Sequence, residues 1–161
     1  ARPAFPATTD LRLAGARAAV ARTEQAQLEF AVGFPDDEAW VTKLTRRLRT
    51  DAILASNDAT AAQVLQTLQH LGRRIPEEIK VAGFDDIRYA RLLSPSLTTM
   101  RQPCAALGVA AVETMLGRLR QPAMPARRVL LRAELIERKS TAAPAPGRPA
   151  SRRPPKDQPS C

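Results

Sequence analysis

The pattern of apolar and polar positions is most regular in the middle of the chain. An apolar run at 52–55 is followed by the polar residues 56–58, whose short side chains suit the start of a helix. Apolar residues then recur at the spacing of one helix face, at Ala61, Val64, Leu65, Leu68 and Leu71. Gly72 follows, and glycine ends helices readily because its left-handed conformation causes no Cβ clash. The pattern predicts a buried strand followed by an amphipathic helix.

A second apolar run, at 79–84, leads directly into Asp85 and Asp86. A strand, a helix and a strand of this length imply a right-handed crossover between two parallel strands. Residues 57–58 and residues 85–86 then follow the carboxyl ends of neighbouring strands. Open α/β sheets bind their ligands at that edge. The sequence therefore predicts a ligand site formed by these polar residues.

The remaining pattern predicts an α/β fold, with a parallel sheet flanked by helices. Residues 1–6 predict a strand end and a proline-rich turn, and 87–93 a short helical turn. Further predicted helices begin near Thr8 and cover 38–48 and 104–119, and further predicted strands cover 27–32, 97–100, 129–131 and 135–136. The apolar positions of the last helix lie on one face, at Ala105, Val109, Val112, Leu116 and Leu119.

The composition fits about one globular domain, since 44% of the 161 residues are apolar. No apolar run approaches the ~20 residues that a membrane helix needs, and the N-terminus lacks the layout of a signal peptide. The sequence begins at Ala1 without methionine, and we expect it to be part of a longer protein. Cys104 and Cys161 form no pattern, which predicts no metal site or disulfide framework and favours a reducing cytoplasm.

The net charge of +9 raises the question of a nucleic-acid surface. Part of the excess lies in residues 142–161, and the other arginines are scattered over helix faces with few aromatic residues for base stacking. We therefore expect solvated arginines rather than DNA binding by this chain. Residues 142–161 also hold six of the 14 prolines and no large aliphatic residue, which predicts a disordered tail after a folded region at 1–141.

Three side chains have chemistry suited to a sugar or another polyol. Asp85 can accept hydrogen bonds from two adjacent hydroxyls, Asn57 offers both donors and acceptors, and Arg12 offers a fixed fork of five donors. Each also has a simpler interpretation. Asn57 can cap the helix that follows it, Asp85 can cap the turn at 86–92, and Arg12 can point into water. Asp58 and Asp86 are expected to be structural.

Other chemistry finds less support. An acidic pair after a strand is also typical of phosphoacceptor and magnesium sites, but the further aspartate and lysine of such sites are not in place. The only histidine is His70, and nucleophile, P-loop and dinucleotide motifs are missing, so we expect no enzyme and no cofactor. Trp40 could stack on a sugar, although its helical spacing favours packing.

Five segments together resemble the effector-sensing domain of the lactose/galactose-repressor (LacI/GalR) family of bacterial transcription regulators. They occur in the family's order and cover roughly residues 1–141: TTDLRLAGARAAVAR at 8–22, DAILASNDATA at 51–61, GRRIPEEIKVAGFDDI at 72–87, LTTMRQP at 97–103 and LRAELIERKST at 131–141. In this family the matching arginine, asparagine and aspartate contact the effector. The resemblance thus implies ligand-binding roles for Arg12, Asn57 and Asp85.

The resemblance also implies a periplasmic-binding-protein-like fold and a cytoplasmic, homodimeric regulator that senses a small sugar. The helix-turn-helix, the hinge and most of the N-terminal subdomain are expected outside this chain, which would hold half of the ligand cleft. The segment from 97 onward is expected to return partly into that subdomain, and DNA would be bound only through the missing helix-turn-helix. Two alternatives stay open: a periplasmic sugar-binding transport receptor, and an inactive truncated repressor.

Overall fold

The computed structural model describes residues 7–24 and 26–142. The predictions for residues 1–6 and for the tail beyond residue 142 lie outside this range. In chain order the elements are α1 (Ala7–Val20), α2 (Glu38–Leu48), β1 (Ala52–Leu54), α3 (Asp58–His70), β2 (Lys80–Asp85), β3 (Thr98–Arg101), α4 (Cys104–Arg120) and β4 (Glu134–Ile136). No helix in the described ranges is long and apolar enough to span a membrane.

The strands form one sheet in the order β1-β2-β3-β4. β1 pairs in parallel with β2, and β2 pairs in parallel with β3, with Ile53 opposite Val81 and Ala82 opposite Thr98. β4 is antiparallel to β3. The predicted α/β fold and the parallel crossover from β1 through α3 to β2 are confirmed, with one antiparallel strand added at the edge.

The core lies between α3 and the sheet. α3 buries the face predicted from its spacing, including Val64 and Leu68, against Ile79, Val81 and Leu97, which are all fully buried. The predicted helix end is also confirmed. Leu71 caps α3, and Gly72 follows with a φ of +70°.

Two predicted strands are wrong. Residues 27–32 and 129–131 pair with no strand of the described sheet, and their apolar side chains are exposed, with Val32 at 61% and Leu130 at 84%. The alternation at 27–32 and the short apolar run at 129–131 are both typical of strands, but a strand also needs the edge of a neighbouring strand to pair with. The edges of the described sheet belong to β1 and β4, and neither segment is paired with them.

α4 is a helix as predicted, but its apolar face is not in the core. None of its 17 residues is buried, and Val109 and Leu119 are 58% and 70% exposed. α1 is also mostly exposed, with Leu11 at 75%. The periodicity therefore identified both helices correctly, but it did not indicate whether their faces would be covered.

Candidate functional site

The carboxyl ends of the three parallel strands meet at one edge of the sheet. Ser56 and Asn57 follow β1, Asp85 ends β2, and Gln102 follows β3. Because the strands are parallel and in register, side chains that are far apart in sequence converge there. We refer to Arg12, Asn57, Asp85 and Gln102 as the edge cluster.

Asp85 is the centre of the edge cluster. Its Oδ1 accepts a hydrogen bond of 2.6 Å from Nε2 of Gln102 and lies 3.7 Å from Nη2 of Arg12. The side chain is 33% exposed. The interpretation of Asp85 as a cap for the following turn is wrong, because the backbone N–H of Ile87 donates to Oδ2 of Asp58 instead.

Arg12 reaches the sheet edge from α1, so the interpretation that it points into water is wrong. Its Nη1 donates to the backbone oxygen of Ser56, and its guanidinium carbon lies 3.9 Å from the ring centre of Phe84. A guanidinium stacked on an aromatic face gains a cation–π attraction and is held in one plane. With 27% of its side chain exposed, Arg12 is fixed and still open to solvent.

Asn57 has the capping role that the sequence allowed. Its Oδ1 accepts a 2.8 Å hydrogen bond from the backbone N–H of Thr60 in the first turn of α3. Asn57 is linked to the rest of the edge cluster only through its neighbour, since Arg12 bonds the backbone of Ser56. Capping occupies the oxygen of the carboxamide and leaves its nitrogen as a donor.

Sequence reasoning missed Gln102 and Phe84. Gln102 could have been found, because it follows the third parallel strand just as Asn57 and Asp85 mark the ends of the first two. Phe84 was not readable in the same way. Its position before Asp85 is evident, but its contact with Arg12 depends on how α1 lies against the sheet.

Asp58 and Asp86 are structural, as expected. Asp58 is fully buried and accepts hydrogen bonds from the hydroxyl of Thr99 at 2.5 Å and from the N–H of Ile87 at 2.9 Å. Asp86 accepts from Nε of Arg101 at 2.7 Å and from Nη2 of Arg138 at 2.6 Å, with 9% of its side chain exposed. The two adjacent carboxylates of Asp85 and Asp86 thus have separate partners rather than a shared one.

The two arginines determine the charge state of Asp86. Burial alone would raise the pKa of its carboxyl, but the hydrogen bonds and positive charges of Arg138 and Arg101 outweigh burial and lower that pKa below its ordinary value. In return, the hydrogen bond to Asp86 raises the pKa of Arg101. The described residues hold no group of three or more His, Cys, Asp and Glu side chains that could bind a metal ion.

Trp40 and His70 make no described contact with the edge cluster. Trp40 packs against the core, and its indole covers Gly33 so closely that a Cβ on that residue would lie 2.2 Å from the ring. The packing interpretation of Trp40 is confirmed. His70 is 62% exposed, and its only described ionic neighbour is Glu38, at 4.0 Å. Neither residue adds chemistry to the site.

The edge cluster therefore provides a carboxylate, a guanidinium and two carboxamides on one partly exposed surface. Such a set can accept and donate hydrogen bonds to neighbouring hydroxyls on a small molecule. None of these groups is placed as a nucleophile with an adjacent general base.

Comparisons with known proteins identify the family of this chain. Residues 2–141 match the family described as periplasmic binding protein-like domain. The ribose operon repressor of Escherichia coli K12 is 36% identical over 139 residues, which cover 81% of this chain and 41% of the repressor. The chain thus spans less than half the length of this curated relative.

Solved structures of LacI family regulators have the same fold as this chain. A LacI family regulator from Arthrobacter sp. FB24 in complex with lactose is 34% identical with a TM-score of 0.67, and the match covers 86% of this chain and 52% of that one. A LacI family regulator from Enterococcus faecium with bound ribose is 25% identical with a TM-score of 0.68, covering 83% and 51%. This chain belongs to the periplasmic binding protein-like family, as an effector-binding domain of the LacI/GalR type.

Proposed function

We propose that this domain binds a small sugar at the carboxyl edge of its sheet, through Arg12, Asn57 and Asp85 with Gln102 beside them. The observation that carries the proposal is the contact of Asp85 with both Gln102 and Arg12 at that edge. In the full-length protein, the bound sugar regulates DNA binding by a helix-turn-helix outside residues 1–161. Catalysis is no part of this role, and the relatives named above are regulators.

Each group has a distinct task in sugar recognition. Asp85 accepts from ligand hydroxyls, and Oδ1 already takes one bond, so Oδ2 is its freer acceptor. Arg12 donates to hydroxyl or ring oxygens from a guanidinium whose orientation Phe84 restricts. Asn57 donates through the amide nitrogen that capping leaves available. A site that hydrogen-bonds hydroxyls also rejects analogues lacking them, because its own polar groups would then stay unpaired.

Regulation follows from differential affinity. A ligand shifts an equilibrium between two arrangements only as far as it binds one of them more tightly. We propose that the sugar stabilises one arrangement of a cytoplasmic homodimer and so changes how its DNA-binding segments meet an operator. Homologous repressors named for sugar operons support this assignment over a transport receptor.

The test is isothermal titration calorimetry of the full-length protein with D-ribose, lactose and cellobiose. Saturable binding of at least one sugar is expected, together with its loss in Asp85→Asn. Asp51→Asn is the matched control, because Asp51 is an exposed carboxylate at the amino end of β1, away from the edge cluster. If no sugar bound, or if Asp85→Asn bound as well as Asp51→Asn, the proposed site would be wrong.

The inactive-truncation alternative is tested on the 161-residue chain itself. Cooperative thermal unfolding followed by circular dichroism is expected, since α3 and the sheet share a closed core. A broad, non-cooperative transition would favour the alternative.

A further inference from the structure

The backbone at the end of β2 has an unusual conformation. Asp85 has a φ of 114° and Asp86 a φ of 53°, and among the described residues only Arg49 is another non-glycine with positive φ. Positive φ brings the Cβ of an L-residue against its own backbone, and such conformations persist only where the surroundings hold them. Two in succession, beginning at the central residue of the edge cluster, need a physical cause.

The next two backbone N–H groups are both held by side chains. The N–H of Asp86 donates to Oγ1 of Thr99 at 3.3 Å, and the N–H of Ile87 donates to Oδ2 of Asp58 at 2.9 Å. The hydroxyl of Thr99 in turn donates to Oδ1 of Asp58. Asp58 and Thr99 are both fully buried, so these acceptors are not replaced by water.

The side chain of Asp86 adds a second restraint. Its two carboxylate oxygens are held by different arginines, Arg101 at the end of β3 and Arg138 just after β4. Arg101 also lies 3.2 Å from Glu134 of β4, and Arg138 donates to the backbone oxygen of Leu97 at 2.7 Å. Ion pairs therefore join Asp86 to the end of β3 and to the segment just after β4. The same arginines lower the pKa of Asp86, so that its carboxylate stays charged.

Space for this arrangement comes from a glycine. A Cβ on Gly83 would lie 2.3 Å from Oδ1 of Asp58, so only glycine admits the buried carboxylate at this position of β2. The turn is held from three sides: by Asp58 of α3, by Thr99 and Arg101 of β3, and by Arg138 after β4. We refer to these four residues, together with Asp86 itself, as the cage.

We propose that Asp86 and Asp58 are positioning residues: they hold the strained turn in the one conformation that directs the Asp85 carboxylate toward Arg12 and Gln102. The inference rests on the proposed sugar-binding function and deepens it. Pre-organisation of this kind lowers the cost of binding, because the acceptor does not have to be ordered when the ligand arrives. Without the cage, the turn relaxes toward negative φ and the carboxylate of Asp85 leaves the edge cluster.

The decisive variant is Asp86→Asn. Asparagine tolerates positive φ and has the same size, so the substitution removes the charge that holds the two arginines and leaves the local backbone possible. Affinities for D-ribose and a set of its singly deoxygenated analogues are measured by calorimetry, beside Asp85→Asn and the control Asp51→Asn. We expect Asp86→Asn to weaken D-ribose binding about tenfold, the size of a typical coupling between contacting residues.

The analogues separate positioning from general stability. Asp85→Asn should leave the affinity unchanged for one analogue, the one that lacks the hydroxyl bound by Asp85. We expect Asp86→Asn to leave the affinity for the same analogue unchanged. A merely structural role would weaken all analogues equally or none. Either of those results, with a lowered melting temperature in Asp86→Asn, would overturn the proposal.

A ligand-independent measurement keeps the inference distinct from the proposed function. The side-chain amide signals of Gln102 in a ¹⁵N–¹H spectrum report its hydrogen bond to Asp85. We expect them to shift in Asp86→Asn and to stay in place in Asp51→Asn, even if no sugar binds. Unchanged Gln102 signals would overturn the positioning role. If Asp86→Asn does not fold, Arg101→Gln replaces it, because Arg101 is 49% exposed and its loss leaves Arg138 on Asp86.

Discussion

The half of this molecule that contains α3 and the sheet differs from the half that contains α4 in how far the apolar helix faces are buried. α3 has 13 residues and buries six of them, whereas α4 has 17 residues and buries none. The carboxylates of Asp58 and Asp86 beside α3 are also well matched, since every one of their oxygens accepts a hydrogen bond. An amphipathic pattern thus determines a helix, but burial of its apolar face also needs a second surface that covers it.

The exposed half also has a recognisable shape. α4 and residues 127–131 border an open apolar groove of about 610 Å³, with Leu107, Met115 and Val129 in its lining. The N-terminal subdomain that we expect outside this chain would cover such a face, which is therefore exposed in this chain alone. That this subdomain covers the apolar face of α4 stays a prediction.

The largest difference is expected from equivalent leucines in the two helices. Leu68→Ala removes a fully buried side chain from the core and should lower the free energy of unfolding by about 2–5 kcal/mol. Leu116→Ala changes a residue of α4 that is 43% exposed and should cost less than about 1 kcal/mol. Urea unfolding followed by circular dichroism measures both. Equal losses would mean that the face of α4 is covered.

Two glycines sharpen the same contrast. Gly83→Ala places a Cβ 2.3 Å from Asp58, and the resulting overpacking should cost about 1–3 kcal/mol of stability. Gly108→Ala has nothing within 4 Å and should stabilise α4 by about 0.5–1 kcal/mol, because alanine is the better helix former. Opposite signs of the change in urea midpoint are expected. Destabilisation by both would contradict the open surroundings of Gly108.

Asp86 should contribute to the pH dependence of stability. The folded pKa of Asp86 is lowered, so its contribution is present above the unfolded pKa of about 3.9 and is lost as the pH falls through the folded value. Each unit of lowering corresponds to about 1.4 kcal/mol. Urea unfolding between about pH 5 and pH 2 should therefore show a smaller acid loss in Asp86→Asn than in the unsubstituted chain. Glu113→Gln, which removes one exposed carboxylate from α4, is the control for the change in net charge.

The smallest effect separates the two roles of Asn57. Asn57→Ala removes the helix cap and should cost about 1 kcal/mol, whereas Asn57→Ser keeps a capping oxygen and should cost less than half of that. Both variants lose the amide donor, so both should weaken sugar binding to a similar extent. Melting temperature and calorimetry are measured on the same samples. If Asn57→Ser kept full affinity, capping would be the whole role of Asn57.

The sequence alone determined much of this protein. The spacing of apolar residues identified α3 and its buried face, and the polar residues after each apolar run located the edge of the sheet where Arg12 and Asp85 meet. These inferences succeeded because local periodicity and the geometry of a parallel crossover leave few alternatives. The cap formed by Asn57 and the stop at Gly72 were equally local, since each depends on residues within one turn.

Only the tertiary structure decided the remaining features. The alternation at 27–32 and the apolar run at 129–131 resembled strands, but pairing depends on a neighbouring edge that is not encoded within a short segment. The contacts of Gln102 with Asp85 and of Arg138 with Asp86 join residues 17 and 52 positions apart. The positive φ of Asp85 and Asp86 could not be predicted from the sequence, because aspartate does not require it. Distant parts of the chain impose that conformation, and no local pattern records their arrangement.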